Sequence, residues 1–191
     1  MLVVCVNAPI VKPDLFGLVH HHMSEAANTV YLVDACSDPV VVRIEGRACF
    51  QNSPSLRDFV GEMLRQGKQR FVIDFQHCTT MDSTFLGVLA GVALELRKTT
   101  PPGSVVLARV GPRNLELIRN LGLHHLLTVD AGEGSMNFGK CEKALAVDDR
   151  GELDRARHVL ESHEHLIAAD EGNRVKFQDV LAFLKNRVDQ R

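Results

Sequence analysis

From Thr29 onward, short apolar runs alternate with segments in which apolar residues recur every three or four positions. Strands alternating with amphipathic helices give this pattern. Residues 30–33 and 40–44 are β-rich, the second alternating toward Arg43 and Glu45, and read as neighbouring strands. Ser53-Pro54 supplies an N-cap and a first-turn proline. The helix that follows carries Leu56, Phe59, Val60, Met63 and Leu64 on one face and stops before Gly67. Residues 71–75 hold too few polar positions for an exposed strand, which predicts a central one. A polar loop comes next, and Asp82-Ser83-Thr84 then opens a helix with Phe85, Val88, Leu89, Val92 and Leu96 at helical spacing. Gly87, Ala90, Gly91 and Ala93 fill much of its remainder, predicting close packing against the sheet. Residues 104–110 read as another buried strand. Gly111-Pro112 starts a helix with Leu115, Ile118 and Leu121 that Gly122 ends, and 126–129 give a last strand. The fold class is α/β.

The flanks differ from this core. Residues 1–22 show no period, contain two prolines, and end in His20-His21-His22 just before Met23. They read as a leader, either disordered or a start-site artefact ahead of Met23. Three adjacent histidines do not converge on one ion, and no spaced partner lies near them, so no metal site is assigned. The main domain spans 23–135 and ends in the linker at 131–135. A helical extension occupies 136–191: a helix at 136–147, then helices at 152–169 and 174–188. The first of that pair carries Leu153, Ala156, Leu160 and Ile167 in a stripe; the second carries Phe177, Val180, Leu181, Leu184 and Val188. Such stripes must be buried against the domain, each other or another chain.

Charge and composition narrow the function. Twenty-two Lys and Arg face 24 Asp and Glu, with no Trp and one Tyr. Neither a basic footprint nor base-stacking aromatics point to nucleic acid. No apolar run reaches the length of a membrane span, so no membrane partner is expected. Cys5, Cys36, Cys49, Cys78 and Cys141 form no C-x-x-C pair and fit reduced thiols in the cytoplasm. His124-His125 and His158, His163 and His165 make no ligand quartet and read as solvent-facing or helix-packing residues. Without a glycine-rich phosphate loop, no cofactor is implied.

The chemistry centres on Asp82-Ser83-Thr84. A hydroxyl at a helix start stands beside backbone amides that lack intrahelical partners and can bond anionic oxygens. It suits phosphorylation, and it also suits ordinary capping. As a nucleophile elbow the site fails, because that turn needs small residues two before and two after the serine, where this chain has Met81 and Phe85.

The strand ending Val72-Ile73-Asp74-Phe75, the loop to Met81-Asp82-Ser83, and Leu86-Gly87 with its aliphatic helix together resemble the STAS domain of bacterial anti-sigma factor antagonists. Leu107-Ala108-Arg109-Val110 and Leu121-Gly122-Leu123 extend the likeness over about residues 29–130. The resemblance implies a STAS-like mixed sheet with helices packed against it, to which the C-terminal helices are an addition. It implies that Ser83 is phosphorylated by an anti-sigma factor that is also a serine protein kinase, and that a separate protein phosphatase reverses this. The domain would then be a binding switch and not an enzyme, with Asp82, Ser83, Thr84 and Phe85 forming the partner surface and the loop 47–53 on the same rim. Where the family commonly has glycine two residues after the serine, this chain has Phe85. The alternative is a non-phosphorylated scaffold or oligomeric interaction subunit, a homo-oligomer joined through the C-terminal helices.

Overall fold

The computed structural model describes residues 30–130, 141–146 and 150–189. In chain order its elements are β1 (Tyr31–Asp34), β2 (Val40–Ala48), α1 (Ser53–Arg65), β3 (Arg70–Met81) and α2 (Ser83–Arg97). After these come β4 (Ser104–Ala108), α3 (Pro112–Asn120), a 3-10 turn (Leu123–His125), β5 (Thr128–Asp130), β6 (Lys143–Ala144), α4 (Glu152–Ala169) and α5 (Asn173–Asp189).

The six strands form one mixed sheet in the order β5-β4-β3-β2-β1-β6. β2 to β5 are parallel neighbours, and β1 and β6 join antiparallel at one edge. Each parallel step needs a crossover, supplied in turn by α1, α2 and α3. Alternation sorts the strand residues. Val40, Val42, Ile44, Phe71, Ile73, Phe75, Val105 and Leu107 enter one core together with Leu56, Val60, Phe85, Leu86 and Leu89 of the helices. On the opposite sheet face, Val41, Val72 and Ala108 cluster with Cys141.

Asp74 also lies on that opposite face and is fully buried. Its carboxylate accepts from Arg43 Nε on β2 at 3.1 Å and from Arg109 Nε, just past β4, at 2.8 Å, with a second bond from the Arg109 guanidinium. A charge removed from water requires such pairing. Asp74 therefore clamps the three central strands together.

Three expectations change. The polar loop of 76–81 is strand: β3 continues beside β2 through Cys78 opposite Gly46 and Met81 opposite Ala48, across two register shifts. Exposed side chains at Gln76 and His77 disguise it, since parallel pairing is made by backbone and tolerates polar residues beyond the helical layer. Within 136–147, Lys143 and Ala144 are not helical; they pair with Val33 and Leu32 of β1. Val180 faces outward, 41% exposed. The leader 1–22, Met23, Cys5, the triple histidine and the linker 131–135 lie outside the described residues.

A fourth correction concerns Phe85 and Thr84. Phe85 is fully buried, stacked on Tyr31 at 6.4 Å between centroids and set edge-on to Phe75 at 6.2 Å. Thr84 is 4% exposed. Neither presents a surface to a partner, because Phe85 turns to the sheet and Thr84 is covered as well. Phe85→Ala should therefore cost about 3–5 kcal/mol, the range for emptying a packed aromatic site. Urea unfolding should show the loss as a lowered midpoint; a midpoint close to wild type would put the ring outside the core.

Candidate functional site

The site is built around the junction of β3 and α2. Asp82 is the N-cap: extended at φ −112°, ψ 174°, it accepts the Phe85 amide on Oδ1 at 3.0 Å. Its other oxygen, Oδ2, accepts the amide of Phe50 at 2.8 Å, and its own amide donates to Ala48 O. One carboxylate thus starts the helix and holds the rim loop 47–53 beside it. Asn52 fixes that loop from within. Its Oδ1 accepts from Cys49 N and from the Tyr31 hydroxyl, each at 2.9 Å, while Nδ2 donates to Arg47 O. The loop therefore lies on the same rim as Ser83, with Phe50 38% exposed at its tip.

Ser83 is the first helical residue and not the cap; it is half-buried. Its hydroxyl meets His163 Nε2 of α4 at 3.0 Å. The direction of this bond follows from the other ring nitrogen. His163 Nδ1 lies 2.8 Å from Val159 O, which can only accept, so Nδ1 carries a proton, and in the neutral form of the ring Nε2 accepts the Ser83 O–H. The imidazole is 4% exposed and packs edge-on to Phe177 of α5 at 4.7 Å.

A second pair repeats the device at α1. Ser53 Oγ lies 2.8 Å from His158 Nε2, and Arg57 reaches His158 Nδ1 at 3.2 Å and Glu161 at 2.9 Å. A guanidinium can only donate, so here Nδ1 accepts and Nε2–H donates to Ser53. Ser53, expected to be an N-cap, is instead the first residue of α1 after Asn52, and its hydroxyl serves α4.

α4 approaches this closely because α2 carries glycine where the two helices cross. A Cβ at Gly87 would overlap the Ser162 carbonyl, 2.6 Å from its carbon, and one at Gly91 would collide with the His165 ring. The glycines predicted to pack on the sheet thus face α4. Beside the crossing a cleft of about 240 Å³ remains, lined by Val60, Leu64, Val88 and Val92 with Arg57 and Glu95 at its edge. At its far end, buried Asn173 donates to Leu121 O at 3.0 Å and to Leu166 O at 2.9 Å, tying the α4–α5 turn to the end of α3.

The structure places Asp82, Ser83 and the 47–53 loop on one rim and joins to them Asn52, Ser53, His158 and His163, which sequence reasoning did not connect with it. The available signal was polar burial: His158, Ser162 and His163 share the covered face of α4 with Ala156 and Leu166. Among the described residues no three His, Cys, Asp or Glu side chains gather as metal ligands, and no helix is long and apolar enough to cross a membrane.

Burial, then the nearby Arg57 and Arg150, hold the His158 imidazole down at about 4, with Asp58 pulling the other way and His165 adding slightly to the depression. In the unfolded chain a histidine titrates near 6.5. The unfolded state therefore binds the proton more readily, and the stability this residue contributes is whole above about pH 6.5 and is lost as pH falls toward about 4. The thermal midpoint should decline from pH 7 to pH 5, and His158→Gln should flatten that decline. Parallel pH profiles for the two proteins would show that His158 binds its proton equally well folded and unfolded.

Solved structures and one family model match part of the chain. SpoIIAA, an anti-sigma factor antagonist solved in its unphosphorylated form, is 20% identical, matching 54% of this chain and 90% of its own at a TM-score of 0.45. The phosphorylated form of the Bacillus cell fate determinant SpoIIAA gives 20% identity over 54% of this chain and 93% of its own, with a TM-score of 0.44. None of the curated proteins matches the chain. The family model described as "Mlab, STAS domain" matches residues 32–128, half of the chain and all of the sheet but the two ends of its strand order, and the chain belongs to the STAS family.

Proposed function

We propose that this chain is a regulatory STAS protein that works by binding another protein, with Ser83 as a phosphoacceptor and an anti-sigma factor or serine protein kinase as the partner. The observation that supports it is the setting of Ser83: a half-buried hydroxyl on the first residue of α2, directly after the capping Asp82 and on the rim that carries exposed Phe50. It is the position at which the sequence resembles the phosphorylated serine of the family. The partner surface is Phe50, Asp82 and Ser83, without the buried Thr84 and Phe85. An exposed aromatic beside a fixed carboxylate supplies an anchor and an orienting charge. Phosphate would add about −1.5 to −2 charges and three acceptor oxygens. α2 tolerates that charge at its N-terminus, whereas a partner moulded to a neutral hydroxyl does not. A protein phosphatase restores the binding form.

Catalysis by the site itself is not favoured. Ser83 and His163 have the spacing of nucleophile and base, but His163 gives its second nitrogen to the Val159 carbonyl and not to a carboxylate, inside a helix seam. The second reading, a non-phosphorylated scaffold or homo-oligomer subunit, draws on Val175 and Phe183, which α5 leaves 75% and 62% exposed.

Mass mapping of the protein taken from its native cells should find one phosphoryl group, on Ser83. Ser83→Ala should keep the partner, and Ser83→Asp should weaken its binding at least about tenfold, near 1.4 kcal/mol. Unmodified Ser83 under every growth condition, with equal partner affinity in both variants, would leave the scaffold reading.

A further inference from the structure

The STAS domain completes its core with almost no help from the helices that follow it. Among the fully buried residues of the main core, Leu166 alone comes from α4 or α5, joined at the margin by Ala169 and Phe177. Ala156, Ile167, Leu181 and Leu184 are buried outside that core. Beside the apolar contact of Leu166, a row of side-chain hydrogen bonds joins the helical pair to the domain: Ser83 to His163, Ser53 to His158, Arg57 to His158 and Glu161, and Asn173 to Leu121. Polar seams of this kind mark interfaces that separate, in contrast to the apolar ones of permanent assemblies. The seam also lies over Ser83.

We propose that the α1–α2 face of the STAS domain is a helix-binding groove whose resident occupant is α4, so that the C-terminal helical pair is a releasable cover over Ser83. The groove admits close approach of a helix, because Gly87 and Gly91 leave room for the backbone of Ser162 and the ring of His165. It offers Arg57 to an acid such as Glu161 and hydroxyls to two imidazoles. A partner helix of the same character would compete with α4 for these groups. The unfilled cleft beside Val60, Leu64 and Val88 gives it a first contact before α4 departs. This inference rests on the proposed function only for what happens at Ser83 once it is uncovered.

The test is native-state hydrogen exchange, read by mass spectrometry, on the full unmodified chain across sub-denaturing urea. Peptides from α4 and α5 should exchange together, through an opening at least about tenfold more frequent than the one that exposes β2, β3 and β4. Gly87→Ala should raise that opening at least about a further tenfold and leave sheet exchange unaltered, since alanine favours α2 itself and only the Ser162 contact suffers. Exchange of α4 and α5 solely in step with the sheet would overturn the proposal, as would an opening indifferent to Gly87→Ala. Should that variant not fold, the wild-type profile decides alone. A Ser83 that is never phosphorylated leaves this result untouched, and a fixed α4 overturns the cover while modification of Ser83 is read separately by mass mapping.

Discussion

The two oxygens of one carboxylate set the geometry of the whole site. Oδ1 of Asp82 ends the orphan state of the Phe85 amide and so defines where α2 begins; Oδ2 holds the Phe50 amide and with it the rim loop. Phe85 then falls between Tyr31 and Phe75, and Ser83 points toward α4. Tyr31 passes the constraint on, because its hydroxyl bonds the Asn52 side chain that shapes the loop from beneath. Core packing and site geometry are thus one structure. A change at Asp82 would disturb an aromatic nest, a helix start and a binding rim at once.

Over this rigid base the C-terminal pair forms a layer of different character. The sheet and its crossover helices are held by apolar burial, whose strength scales with area and is indifferent to direction. α4 is held by directional bonds at a crossing that glycine permits. A buried polar pair contributes modestly when complete and costs the full desolvation of the remaining group when one partner is lost. Such a seam therefore discriminates sharply between a seated and a displaced helix, with little tolerance for states between.

Much of the fold was legible because periodicity records burial. The alternation of 40–44, the stripe of α1 and the apolar centre of β3 all reflect the side that meets the core. Legibility failed where backbone or polar groups carried the contact. Residues 76–81 look like a loop because parallel pairing asks nothing of their side chains. Lys143 and Ala144 pair with β1 at an edge that leaves both exposed. His158 and His163 read as solvent-facing or helix-packing, and the structure decides for packing; hydrophobicity is blind to the hydroxyl–imidazole pairs they make with residues 105 and 80 positions away in the chain. At the site, the helix start marked by Asp82 and Ser83 is where α2 begins. The outward sense assigned to Thr84 and Phe85 failed because α2 is covered on more than one side, Phe85 turning to the sheet and Thr84 being buried as well.

The tautomers at the seam give it a chemical sense. His163 is held as an acceptor toward Ser83 because the Val159 carbonyl takes its only proton. It can accept from a hydroxyl and has nothing to offer a phosphate while it stays neutral. A phosphoryl group on Ser83 removes the donor, adds bulk where the ring is 4% exposed, and sets negative charge against a nitrogen lone pair. On the reading proposed above, seating of α4 and phosphorylation of Ser83 would oppose each other, and linkage would make the opposition mutual: whatever lifts α4 would favour the modified serine, and the modified serine would lift α4. A partner helix that takes the groove would enter the same equilibrium.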